Sequence, residues 1–328
     1  MAALRHDLRL GPRIGTLLAV LAVVAACTTG GATPGAPGSG AVATSGPSSA
    51  GVPTPAVGGA PIHVLGTENF YADLLAEIGG VRVRASSLLN NPNTDPHTFE
   101  ASPQAAMVVA DARLVVVNGL GYDDFMAHLL AASPDASRVV LTVQQLLGLP
   151  DTANAHVWYD PATMPAVARA AEAALARIEP GNAAYFEARL ATYLASLQPL
   201  TARIAQLRAT YAGAPVAFTE PVAGYLAQAI GLRVLTPEGF QMAIENGTDP
   251  APADVAAEHD LLTGRAVRVL LYNSQAVSPL TTQIEQLATA NAIPVVGVTE
   301  TMPPAYRTYA AWQLAQLDEL AQALEKGA

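Results

Sequence analysis

Six histidines are present in this chain, and two of them stand where side chains usually do chemistry. His97 lies in Asn93-Thr94-Asp95-Pro96-His97-Thr98-Phe99-Glu100, and His156 in Asn154-Ala155-His156-Val157-Trp158-Tyr159-Asp160-Pro161. Both contexts read as loops beside a strand end or a helix start, the usual home of binding groups. Pro96 stiffens the approach to His97. If that segment turned helical, Glu100 would be placed to accept from the second ring nitrogen. Asp160-Pro161 reads as a helix start, with Asp as N-cap and Pro at the first helical position. His156 would then sit on a rigid turn with Trp158 shielding one side. An imidazole so placed serves as a metal ligand or as an acid–base group. The other histidines have plainer readings. His63 falls in an apolar strand, His128 and His259 in helical patterns, and His6 in the N-terminal leader. Cys27 is the single cysteine, which rules out an internal disulfide and a thiolate-rich metal site.

The elements that must position these residues alternate short β-rich runs with helical patterns in two halves. Strands are predicted at Ile62–Leu65, Val81–Ala85, Leu114–Val117 and Val139–Leu141. In the second half they fall at Val216–Phe218, Arg233–Leu235, Val267–Tyr272 and Pro294–Val298. Helical patterns include Phe70–Ile78, Pro103–Ala110, Val222–Ile230, Pro279–Asn291 and Tyr306–Leu324. Between the halves Phe186, Leu190, Tyr193, Leu197, Leu200, Ile204, Leu207 and Tyr211 recur at steps of three and four. Over residues 182–211 that stripe would span roughly 45 Å as a helix. Pro199 is expected to kink or break it near Ala195–Pro199. The fold class expected is α/β: two lobes, each a mainly parallel sheet flanked by helices, joined by a long helix. The N-terminal lobe is placed at 61–180, the linking helix at 181–213 and the C-terminal lobe at 214–328.

The chain has 328 residues, 51% hydrophobic and 13% charged, with a net charge of −10. A core of useful size can form, and the basic footprint of a nucleic-acid binder is missing. There is no glycine-rich phosphate loop and no GxSxG elbow. Residues 1–26 join Arg5, Arg9 and Arg13 to an apolar run from Ile14 to Ala26, the pattern of a signal peptide. Val24-Ala25-Ala26-Cys27 resembles a bacterial lipobox, which implies cleavage before Cys27 and lipidation of its sulfur. Residues 28–60 are uncharged and rich in Gly, Pro, Ser, Thr and Ala, so 27–60 reads as a lipidated flexible tether. No later segment reaches about 20 uncharged apolar residues. The folded part is therefore expected outside the cytoplasm, held to the bacterial membrane by lipid.

Four segments together resemble a known family. Asp95-Pro96-His97-Thr98-Phe99-Glu100 and His156-Val157-Trp158-Tyr159-Asp160-Pro161 are similar to two motifs of the metal-specific substrate-binding lipoproteins of ABC importers, the zinc/manganese or TroA-like class of cluster A-I. Thr219-Glu220-Pro221-Val222-Ala223-Gly224-Tyr225-Leu226 resembles a third, in which a His or Glu ligand lies five residues before an aromatic. Tyr272-Asn273-Ser274-Gln275 followed by Val298-Thr299-Glu300-Thr301-Met302-Pro303 resembles the last, where the family commonly uses Asp. The resemblance covers about residues 61–325, with all four motifs in order.

It implies a metal site of His97, His156, Glu220 and Glu300, two ligands from each half. Two imidazoles and two carboxylates suit Zn²⁺ or Mn²⁺, with Fe²⁺ possible, and the absence of a thiolate disfavours Cu(I). Zinc-specific members often carry a His-rich loop between the first two ligands, whereas residues 98–155 hold only His128. Many also have a third His where this chain has Glu220. Both features point toward manganese or iron, or toward a lower-capacity zinc receptor. The resemblance further implies an ABC permease as partner, a monomer, and capture rather than reaction, because four protein ligands leave no position for a water nucleophile. Two other readings stay open. One is a metallohydrolase with His97, His156 and one Glu as ligands and the other Glu as general base. The second is a metal-binding surface adhesin without a permease.

Overall fold

In the first sheet, Val64 and Val116 point toward a central core while Leu65, Val115 and Val117 point to the opposite face. That two-faced burial is what a parallel sheet covered by helices on both sides requires. A computed structural model describes residues 52–56, 58–91 and 99–327. His97, Cys27 and the expected leader lie outside the described residues, as does most of the expected tether. The first sheet comprises β1 (Ile62–Glu68), β2 (Val83–Leu89), β3 (Leu114–Val117) and β4 (Val139–Thr142), in the order β2-β1-β3-β4. The second comprises β5 (Pro215–Phe218), β6 (Arg233–Val234), β7 (Val269–Asn273) and β8 (Val295–Val298), in the order β6-β5-β7-β8. Every pairing in both is parallel.

Helices α1 (Asn69–Gly79), α2 (Pro103–Asp111), α3 (Phe125–Ala132), α4 (Val143–Leu147) and α5 (Thr163–Ile178) flank the first sheet in sequence. Next come α6 (Ala183–Ser196) and α7 (Gln198–Tyr211), which lead to the second sheet. The remaining helices are α8 (Gly224–Ile230), α9 (Glu238–Glu245), α10 (Pro252–Thr263), α11 (Pro279–Ala290) and α12 (Tyr309–Lys326). The expected two-lobed α/β architecture is what is found. The long helical stripe divides at Leu197 into α6 and α7, with Pro199 in the first turn of α7, where its missing N–H costs no hydrogen bond. Phe186, Tyr193, Leu197, Leu200, Ile204 and Leu207 are all buried, so the three/four spacing runs through the break.

Three local expectations are corrected. Strand β2 starts at Val83, because Gly80–Arg82 form a 3₁₀ turn and Val81 is exposed. Asp160 does not cap α5, which begins at Thr163. Its Oδ1 instead accepts from Ala162 N at 2.9 Å, an Asx turn one step before the helix. Helix α12 starts at Tyr309, where Thr308 Oγ1 accepts from Ala311 N, rather than at Tyr306.

One continuous core joins both sheets. It runs from Val64, Phe70 and Leu74 through Trp158, Phe186 and Leu207 to Phe218, Leu271, Trp312 and Leu320. Smaller clusters cover the outer face of each sheet. Helix α12 carries the core back to the first half: the Trp312 ring lies 6.0 Å from Phe70 and 6.1 Å from Tyr159. Tyr309 N also donates to Asp73 on α1 at 2.8 Å. Gly231 ends α8 at φ +80°, a left-handed turn that returns the chain to β6 with little backbone strain.

Candidate metal centre

In each sheet the two central strands, β1 beside β3 and β5 beside β7, carry connections that leave in opposite directions. A crevice forms outside the carboxyl ends at such a point. Glu220 stands two residues beyond β5, Asn273 ends β7, and Glu300 stands two residues beyond β8. The second half therefore delivers its polar groups from three neighbouring strand ends. His156 arrives from the first half, immediately before the 3₁₀ turn Val157–Tyr159.

His156 is fully buried. Its ring packs edge-on against Trp158 at 5.2 Å and Tyr122 at 5.8 Å, so Trp158 does shield one side. The tautomer follows from Asn154. The Asn154 Nδ2 donates to Pro221 O at 2.7 Å, which turns Oδ1 toward the histidine. That oxygen accepts from His156 N at 3.0 Å and faces Nδ1 at 2.8 Å. Nδ1 therefore carries the proton and Nε2 presents its lone pair, the form in which imidazole binds a metal. Nε2 lies 3.5 Å from Glu300 Oε2 and 3.8 Å from Glu245 Oε1, and has no hydrogen-bond partner among the described residues.

The two predicted glutamates are buried and meet at one amide. Asn273 Nδ2 donates to Glu300 Oε1 at 2.7 Å and, over a short contact, to Glu220 Oε2. Asn273 is itself fixed at both ends, with its N–H on Thr219 Oγ1 at 2.9 Å and its Oδ1 accepting from Gln275 N at 3.0 Å. Glu300 Oε2 accepts from the Tyr122 hydroxyl at 2.9 Å. Burial, then the negative charge of Glu300, push the Tyr122 phenol well above its ordinary range, so it remains a donor. Gln275 Oε1 accepts from the backbone N–H groups of Glu300 (2.7 Å) and Thr301 (2.9 Å), which fixes the turn after β8.

The structure thus brings His156, Glu220 and Glu300 together across the two halves. Among the described residues, no three His, Cys, Asp or Glu side chains are already arranged to hold a metal ion. His97 cannot be placed, but Asn91, the last described residue before its segment, has its carbonyl 3.5 Å from Gln275 Nε2. Phe99-Glu100 is not helical and Glu100 is exposed, so the helical condition attached to that residue is not met. Sequence reasoning assigned no role to Asn273, Gln275, Tyr122 or Glu245. The first two lie inside a motif already singled out, at the end of a fully buried strand, and that was a usable signal.

A model of the family described as zinc-uptake complex component A, periplasmic (ZnuA), matches residues 64–323. The chain belongs to the ZnuA family. Among curated relatives, the manganese-binding lipoprotein MntA of Halalkalibacterium halodurans is 26% identical over 145 residues, 43% of this chain and 48% of that protein. The match thus spans about half of that relative's length. Among solved structures, the periplasmic zinc binding protein TroA of Treponema pallidum superposes with a TM-score of 0.69 at 20% identity, over 81% of this chain and 99% of that one. FpvC of Pseudomonas aeruginosa, solved in complex with Mn²⁺, gives 0.68 at 18% identity, over 82% and 100%. At such identities these superpositions establish the fold. Membership of the ZnuA family places the chain among extracytoplasmic metal-binding receptors, not in an enzyme class.

Proposed function

We propose that this chain captures one divalent transition metal ion, Zn²⁺ or Mn²⁺, between its halves and delivers it to an ABC permease. The ligands are His97, His156, Glu220 and Glu300. The observation that carries this reading is the meeting of His156, with its lone pair turned inward, and two buried glutamates held on one amide. Buried carboxylates without a cation nearby are costly. A dication offsets both charges, and the imidazole completes a borderline-hard donor set. Four protein ligands would leave no coordination position for a water nucleophile. The activity is therefore capture and release, with the lobes separating at the permease. The similarities to zinc- and manganese-binding proteins support the choice of cargo.

The mature chain begins at Cys27 and is tethered to the membrane by lipid through residues 27–60. If so, Cys27→Ala releases the protein into the soluble fraction, and a variant still fractionating with membranes removes that part of the proposal. The central test is metal analysis of protein purified without a His tag, with Zn²⁺ and Mn²⁺ titrated in competition. One equivalent of a divalent metal is expected, and no binding of either ion refutes the receptor reading.

A further inference from the structure

Helix α9 ends at Glu245, inside a cleft of about 450 Å³ bordered by Tyr122, Asp151, Asn154, Glu238 and Gln241. The Glu245 side chain is 11% exposed, so it belongs both to the cleft and to the buried site behind it. We propose that Glu245 is a fifth metal donor, which takes the cation from the cleft and stays bound to it beside His156, giving an oxygen-rich site that favours Mn²⁺ over Zn²⁺. This rests on the receptor reading above.

The geometry supports it. Metal–nitrogen and metal–oxygen bonds to such ions are about 2.1 Å, so two donors on one ion lie at most ~4.2 Å apart. Glu245 Oε1 and Glu300 Oε2 lie 3.8 and 3.5 Å from His156 Nε2, both inside that limit and both beyond hydrogen-bonding range. The shared focus is a fully buried lone pair with no hydrogen-bond partner among the described residues. No hydrogen bond joins the imidazole to either glutamate at these distances, and Asn154 fixes the ring so that Nε2 is the nitrogen turned toward both carboxylates. Glu245 adds a third carboxylate to Glu220 and Glu300 beside the His156 imidazole. Zn²⁺ is content with four ligands, whereas oxygen-rich sites of higher coordination number suit Mn²⁺. Asp151 and Glu238 on the cleft wall add negative potential along the entry path.

The test compares wild type with Glu245→Gln, which keeps size and removes charge, and with Glu245→Ala. Mn²⁺ and Zn²⁺ affinities are measured by competition, and Co²⁺ is used as a spectroscopic probe of the coordination shell. The inference expects Mn²⁺ affinity to fall by about tenfold or more in both variants, and Zn²⁺ affinity by less than about threefold. The Co²⁺ ligand-field bands should also change shape. Equal losses for both ions, or affinities within about twofold of wild type with an unaltered Co²⁺ spectrum, overturn it. If Glu245→Ala fails to fold, Glu245→Gln with a wild-type metal-free melting curve decides alone. A wild type that binds none of the three ions removes the receptor reading itself, whereas binding by wild type with indistinguishable variants removes only the role of Glu245.

Discussion

Asn273→Ala is the substitution with the most distinctive expected signature. The wild-type amide donates one hydrogen bond to each of two buried carboxylates. A hydrogen bond to a charged group contributes about 1.5–3 kcal/mol, so losing both would cost about 3–6 kcal/mol. Glu300 keeps the Tyr122 hydroxyl and both glutamates retain further interactions, which places the loss near the lower end, about 3 kcal/mol. For a domain of this size each kcal/mol moves the melting temperature by about 2–4 °C, giving a fall of about 6–12 °C in metal-free protein. In the proposed site, a cation on those same two carboxylates would offset their charge in place of the amide, so the bound state should depend on Asn273 far less. Saturation with Mn²⁺ should recover at least half of the deficit, and the metal-induced rise should be larger in the variant than in wild type. The assay is thermal unfolding by circular dichroism, with chelator and then with saturating metal. A metal-free melting point within about 2 °C of wild type would show that the amide does not stabilise the carboxylate pair. A deficit identical with and without metal would show that the cation does not replace it.

Other outcomes follow from the same geometry. His156→Ala should abolish most of the metal-induced stabilisation, which for wild type is about 2.7 kcal/mol at one hundred times Kd, while His128→Ala on α3 leaves it intact; melting curves with and without metal distinguish the two. Glu300→Ala should lower metal affinity by at least about tenfold, read by calorimetry, since it removes a candidate ligand; a change within about twofold would take Glu300 out of the site. Glu258 on α10 has its carboxyl pushed up to about 7 by burial, only partly offset by the nearby Thr236 side chain. The folded state then holds a proton that the unfolded state releases near 4.5, so this group's contribution is full below about pH 4.5. Roughly 3 kcal/mol is lost as pH rises to about 7. Glu258→Gln should flatten that pH dependence and raise the melting point at pH 7.5 relative to wild type. Pro199→Ala should change stability by less than about 1 kcal/mol by urea unfolding, because Pro199 already occupies a first-turn position.

The strands were legible because a buried parallel strand leaves an unbroken apolar run, as in Leu114–Val117, and six of the eight begin within one residue of their expected positions. The stripe from Phe186 to Tyr211 was legible for the same reason, at helical period. The end of β1 was less clear, because Thr67 and Glu68 are polar yet buried and extend the strand past Leu65. Asp160-Pro161 gave a sound signal read two residues early: the side chain closes a turn instead of a helix cap. In the site, His156 and the two glutamates could be found from residue type and motif order. Glu245 could not. It sits at the end of a short helix remote in sequence from every motif, and only the packing of α9 across the cleft brings it to the imidazole. Asn273 was missed because an amide reads as neutral, and its importance comes from the two charges that the fold places on either side of it.

The aromatic shell around His156 also makes the molecule its own optical probe. The chain has two tryptophans, both fully buried, one 5.2 Å from the imidazole and the other linked to it through Phe70. Tryptophan emission therefore carries no contribution from the solvent-exposed surface. In the proposed site, a paramagnetic cation such as Mn²⁺ beside His156 would be expected to dim Trp158 more than closed-shell Zn²⁺. Without any label, the intensity of this protein's own tryptophan fluorescence would then report which cation is bound.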